Sequence, residues 1–318
     1  MVSATPLDRS APLNRGGLLF GASAYVVWGL FPLLMHALIP AGALEITAQR
    51  AVWSLVVCLA IVAVVRGWSR LRVVLTNRRT LLTLAIAAVF IAANWLVYVF
   101  AVVTDQVNSA SLGYYINPLV TVALGVVVLG ERLRRLQVVA VGIAVIAVAV
   151  IGIEMGGIPW ISLALAFSFG FYGLIKKRVG GRVDAITGLT VETMVLAPFA
   201  VVALFWIHET GRQTFGERGA PGLGLHHDLL LASTGIATAG ALLLFAAGAA
   251  RLPLNITGLL QYIAPTMMFM LAVWYFGEEM SVGRWIGFGL VWVALVVITV
   301  DGWRARSRTA ATPVTETV

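Results

Sequence analysis

Charge is what this 318-residue sequence has least of: Asp, Glu, Lys and Arg together make up 11% of it, where a soluble domain carries roughly a quarter. That shortage excludes an ordinary water-soluble fold. Cysteine is nearly absent too. The single Cys58 lies in an apolar run, so there is no disulfide framework and no thiol metal site. Acidic residues number 14 against 22 basic ones, which gives a formal charge of +8. The arginines form short clusters between apolar runs, the pattern of membrane-protein loops and not of a nucleic-acid surface. No HExxH, P-loop or GxSxG is present, which speaks against an enzyme and against an ATP-driven motor. His226-His227-Asp228 lacks a matching histidine spacing or thiols, so no metal and no cofactor is expected.

What the chain has is hydrophobic length: 60% of residues are apolar and the mean hydropathy is +0.95. Runs long enough to cross a bilayer are read at about 17–39, 44–65, 80–103, 108–129, 136–153, 158–175, 186–207, 229–249, 255–276 and 283–302. The expected fold is an all-α polytopic membrane protein of ten transmembrane helices, with the lipid bilayer as its solvent. Residues 1–16 and 303–318 read as tails. With the N-terminus inside, eighteen Lys and Arg fall on the cytoplasmic side, only Arg212, Arg218 and Arg284 fall outside, and Arg50 lies within a span. Both termini are therefore expected in the cytoplasm.

One segment occurs twice. SLGYYINPLVTVALGVVVLGE, residues 111–131, aligns without a gap on GLLQYIAPTMMFMLAVWYFGE, residues 258–278, at a constant offset of 147. Tyr115 matches Tyr262, Pro118 matches Pro265, and Gly130-Glu131 matches Gly277-Glu278. Five spans per half is an odd number, so the second copy would enter the membrane from the opposite side. The halves, 17–153 and 158–302, are expected to be inverted repeats. A proline removes a backbone donor and crowds the carbonyl one turn back, so both copies are expected to be interrupted helices. Paired interrupted helices point to a midplane binding site and to a transporter.

Within the spans, Glu45, Arg50 and Glu192 are costly unless paired or hydrated. Glu45 is either a coupling site or a carboxylate at a helix start, where the dipole favours it near the interface. Arg50 is five residues further, off the Glu45 face, and should find its partner on another helix. Glu192 is expected deeper, as a proton-coupling carboxyl or as half of an Arg–Glu brace. Tyr114, Asn117 and Pro118 share one face of their helix, and Gln261, Tyr262 and Pro265 repeat the arrangement. These polar groups hold substrate or satisfy the carbonyls that the prolines free. Asn94-Trp95 adds an amide and an aromatic wall at mid-depth, as glue between helices or as a ligand contact.

The run ASLGYYINPLVTVALGVVVLGERLRRLQ, with WGLFP, EITAQR, NWLVYVFAV, LAFSFGFYGLIKK and QYIAPTMMFMLAV, closely resembles the RarD-type members of the EamA group in the drug/metabolite transporter superfamily. The resemblance spans about Gly17 to Asp301. It implies a permease of the bacterial inner membrane that moves a small organic metabolite or drug without ATP hydrolysis, of the kind often labelled for chloramphenicol sensitivity. Protons are the candidate coupling ion. Two positions depart from the pattern: Gln49 stands where a histidine is expected, and Ala241 where a proline is. A channel, or a signalling or enzymatic protein on a ten-helix scaffold, is the alternative.

Overall fold

The computed structural model describes residues 14–130, 134–179, 182–216, 224–252 and 254–311, and they form an all-α polytopic membrane protein. Its helices are α1 (Arg15–His36), α2 (Ala43–Val64), α3 (Trp68–Thr76), α4 (Arg78–Val103), α5 (Val107–Leu129), α6 (Arg135–Glu154), α7 (Trp160–Lys177), α8 (Ala185–Glu209), α9 (Leu225–Ala249), α10 (Leu254–Leu260), α11 (Ile263–Met270) and α12 (Val282–Ala311). Short polar side chains start several of them by accepting an otherwise unpaired N–H of the first turn. Asn14 takes that of Gly17, Asn77 that of Thr80, and Asp184 that of Thr187. Gly130 ends α5 in the left-handed region at φ 68°, and Gly277 follows the α11 segment at the same φ. A side chain would strain either turn.

Among the described residues, nine helical segments are long and apolar enough to cross a membrane. The sixth expected span, α7, is not one of the nine; it has 18 residues and ends in Lys176-Lys177. The nine-residue α3 was read as a basic loop. It is a helix because Leu71 and Val74, one turn apart, bury against the bundle while the residues between them stay exposed.

The two prolines behave differently, contrary to the expectation of two broken helices. Pro118 lies well inside α5, which runs through it unbroken. The second copy is interrupted, but before its proline: α10 ends at Leu260, Gln261 and Tyr262 form a turn, and α11 begins at Ile263. Pro265 thus falls in the first turn of α11, where its missing N–H would have had no helical partner anyway. A π-helical turn, Leu271–Tyr275, follows. At Ala241, α9 is continuous.

Packing builds one bundle. The main pairings are α1 with α9, α4 with α7, α2 with both α8 and α9, α5 with α7, α6 with α12, and α11 with both α1 and α5. Small residues allow the close ones, since the α face of Gly235 lies against the backbone of Trp53 and that of Gly113 against Ser162. The outer surface carries bare apolar side chains such as Val64, Val127, Phe199 and Trp274, which suit lipid and not water.

Candidate functional site

The helix α2 is enclosed by α4, α8 and α9, so it buries not only alanines but also Glu45, Gln49, Arg50 and Ser54. Arg50 is 4% exposed. Its Nε donates to Oγ1 of Thr238 on α9 at 2.9 Å. Its guanidinium carbon stands 4.2 Å from the centre of the Trp95 ring on α4 and 5.1 Å from that of Phe31 on α1. Among the described residues no carboxylate reaches it. The partner that the sequence called for is therefore a hydroxyl and two aromatic faces, which attract a cation through their ring quadrupoles.

Beside it, the Tyr114 hydroxyl donates to Asn94 Oδ1 at 3.1 Å, and Asn94 Nδ2 donates to the Leu165 carbonyl at 3.1 Å and to Ser168 Oγ at 3.0 Å. Asn94 thus ties α4, α5 and α7 together, and both of its N–H groups are used on α7. The ring of Tyr98 lies 6.0 Å from that of Tyr114, and its buried hydroxyl has no partner among the described residues. One turn beyond Tyr114, Asn117 has a buried, unpartnered Oδ1. Arg50, Trp95, Asn94, Tyr114 and Asn117 are thus brought to one region of the bundle, and Tyr98, Phe31 and Thr238 join them.

The remaining candidates lie elsewhere. Ser111 Oγ donates to the Pro265 carbonyl at 2.8 Å, and the hydroxyls of Tyr115 and Thr266 are 2.7 Å apart, so the two proline-bearing helices are bonded directly to each other. Gln261 and Tyr262 sit in the turn before α11, and Pro118 stays inside α5. No printed hydrogen bond or ring contact links Gln261, Tyr262 or Pro265 to Arg50.

Both acidic candidates are buried to the same extent, at 1% exposure each. The expectation of Glu45 at the interface fails because a loop folds over it: its Oε1 accepts the N–H groups of Thr214 at 2.8 Å and Phe215 at 3.0 Å. Glu192 is paired with Lys176, Nζ to Oε1 at 2.6 Å, and accepts from the Tyr172 hydroxyl at 3.2 Å. It makes no brace with Arg50. Cys58, the α2 residue beside Glu192, is two turns from Arg50, about 12 Å along the helix. His227 bonds Thr214, and Asp228 accepts from the Gly216 N–H, so this loop is held by its own side chains. A cleft of about 230 Å³, lined by residues such as Arg70, Asp184 and Thr187, opens at the α8 start, away from Arg50.

Two carboxyls outside the spans are shifted. Burial works against ionised Asp184, but the N–H and hydroxyl of Thr187 and the charge of Arg70 outweigh it and hold its pKa below the usual value. Glu278 accepts the N–H groups of Val107 and Asn108 at the start of α5. Its burial outweighs those bonds and pushes its pKa up.

The EamA-like transporter family model matches twice, over residues 15–153 and 155–300. The chain belongs to the EamA-like transporter family. It is similar to Protein RarD of Streptomyces exfoliatus, at 49% identity over 299 residues covering 94% of this chain and 92% of that protein. To Protein RarD of Escherichia coli (strain K12) it is 39% identical over 300 residues, covering 94% and 99%. A solved chain titled "Crystal structure of protein" shares the fold with a TM-score of 0.56 at 20% identity, covering 89% of this transporter and 97% of that chain.

Of the residues at the centre of this EamA-like transporter, sequence reading missed Phe31, Tyr98, Thr238 and, at the second site, Lys176. Tyr98 carried a signal, since it is one turn from Asn94 and shares its face. Lys176 was counted with its neighbours as a loop cation. Its long stem lets it reach back to Glu192 from the end of α7.

Proposed function

We propose that this EamA-like transporter is a secondary permease for a small organic molecule, built as two inverted five-helix repeats with both termini cytoplasmic. The observation that carries this reading is the buried polar and aromatic cluster around Arg50, to which α1, α2, α4, α5 and α9 all contribute side chains. A membrane protein does not hold a bare cation and an unpartnered hydroxyl in its interior for stability, because each is costly there. A substrate that meets them accounts for both. The inverted arrangement is supported by the pairing of helices: α1 lies on α9 and α7 lies on α4, so the first helix of each half packs on the third of the other. The equivalent helices α2 and α8, and α6 and α12, also pair. Rocking of one half against the other would expose the cluster to each side in turn.

Purified protein in liposomes, screened by counterflow with a labelled metabolite library, is expected to exchange solute in response to an imposed solute or proton gradient and to be indifferent to ATP. Flux that requires ATP would overturn the reading, as would single-channel currents.

A further inference from the structure

We infer that the cluster around Arg50 binds a monoanion, a carboxylate on an aromatic or otherwise flat apolar body. This rests on the transport reading only for its purpose; the binding site stands on its own geometry. An arginine stays charged at any physiological pH and presents five N–H donors in a planar fork. One of these, on Nε, is taken by Thr238. The terminal nitrogens meet no acceptor among the described residues, and no carboxylate comes within ion-pair range. The rings of Trp95 and Phe31 cover the guanidinium without using its N–H groups. A fork left open at its edge matches two oxygens of a carboxylate.

The charge count limits the ligand further. The nearest cation in the same interior, Lys176, is already neutralised by Glu192, so Arg50 stands for one uncompensated positive charge. One negative charge on the ligand neutralises the site. A doubly charged phosphate would leave one charge buried in excess, and a neutral molecule would leave Arg50 as it is. The Tyr98 hydroxyl, buried and unpartnered on the same helix face as Trp95's neighbour Asn94, supplies a further donor to the anion. Flat aromatic walls favour a flat body by stacking.

The test uses the full-length protein in detergent and a panel of aromatic and aliphatic monocarboxylates, each paired with its own amide; indole-3-acetate with indole-3-acetamide is one such pair. Binding is read by the shift in thermal midpoint and by tryptophan fluorescence. At least one acid is expected to bind tenfold or more tightly than its amide, by about the worth of a charge-assisted hydrogen bond, and an aryl phosphate more weakly than the matching carboxylate. Arg50→Gln is expected to abolish the preference for acid over amide. Should that variant not fold, Arg50→Lys, which keeps the charge without the fork, is expected to retain the preference at reduced affinity. Amides binding as well as acids, an acid preference unchanged in Arg50→Gln, or no acid in the panel binding at all would each overturn the inference. Because the readout is binding, it fails independently of transport: acid binding with no flux in liposomes sinks the permease reading alone, and flux of neutral solutes only sinks this one alone.

Discussion

Lys176 Nζ lies 2.6 Å from Oε1 of Glu192, joining the end of α7 to the buried interior of α8. The lysine is 27% exposed and the glutamate 1%, so the pair links solvent at one end of the bundle to a fully desolvated carboxylate. Removing one partner leaves the other charge bare. Lys176→Met is expected to destabilise the protein by about 2–3 kcal/mol, below the 3–5 of a wholly buried pair because Lys176 keeps some water. The double variant Lys176→Met/Glu192→Leu is expected to lose less than Lys176→Met alone. Thermal melts in detergent measure both.

The same pair is our candidate for proton coupling. The groups facing Glu192 are Lys176 and Tyr172 from α7 and Cys58 from α2. Glu192→Gln keeps the shape and removes the titrating group. It is expected to flatten the pH profile of transport while inserted, folded protein remains. An unchanged profile, or loss of the profile in Glu45→Gln instead, would remove Glu192 from this role.

Glu45 is expected to matter for stability through its backbone bonds. Glu45→Ala strips acceptors from the Thr214 and Phe215 N–H groups, one fully and one partly buried, at about 1–3 kcal/mol. Glu45→Gln retains an acceptor oxygen and should lose distinctly less. Equal losses in the two variants would show that the charge, and not the hydrogen bonding, is what the loop requires.

At the start of α8 the pH dependence has a definite sign. The folded pKa of Asp184 is depressed, so its contribution is present above the unfolded value near 4 and is lost as pH falls through the folded value. Asp184→Asn keeps a cap without the charge. Its melting midpoint is expected below that of the unsubstituted protein at pH 7 and to converge with it in strong acid; a gap independent of pH would contradict the assignment.

Close packing of α2 on α9 depends on Gly235, whose added methyl would run into the Trp53 backbone. Gly235→Ala is expected to cost about 1–3 kcal/mol through overpacking, outweighing the gain in helix propensity. A more stable Gly235→Ala protein would mean the two helices can separate without loss.

The sequence by itself determined that this chain is an all-α membrane protein and which of its residues were out of place in hydrocarbon. Those facts follow from composition and run length, because the bilayer sets both the span and the cost of charge. The repeat at 111–131 and 258–278 was equally legible, as was the face shared by Tyr114 and Asn117. It did not reveal that Pro118 would sit in an unbroken helix while the matching Pro265 would follow a turn, since that depends on where α11 starts. Nor could it pair the charges. Depth seemed to separate Glu45 from Glu192, yet a loop buries the first and a lysine from a helix end reaches the second. Arg50 finds two rings and a hydroxyl on three other helices. Partners across helices are separated by up to 188 residues, and only the packing of the bundle brings them within the few ångströms over which hydrogen bonds and cation–π contacts act.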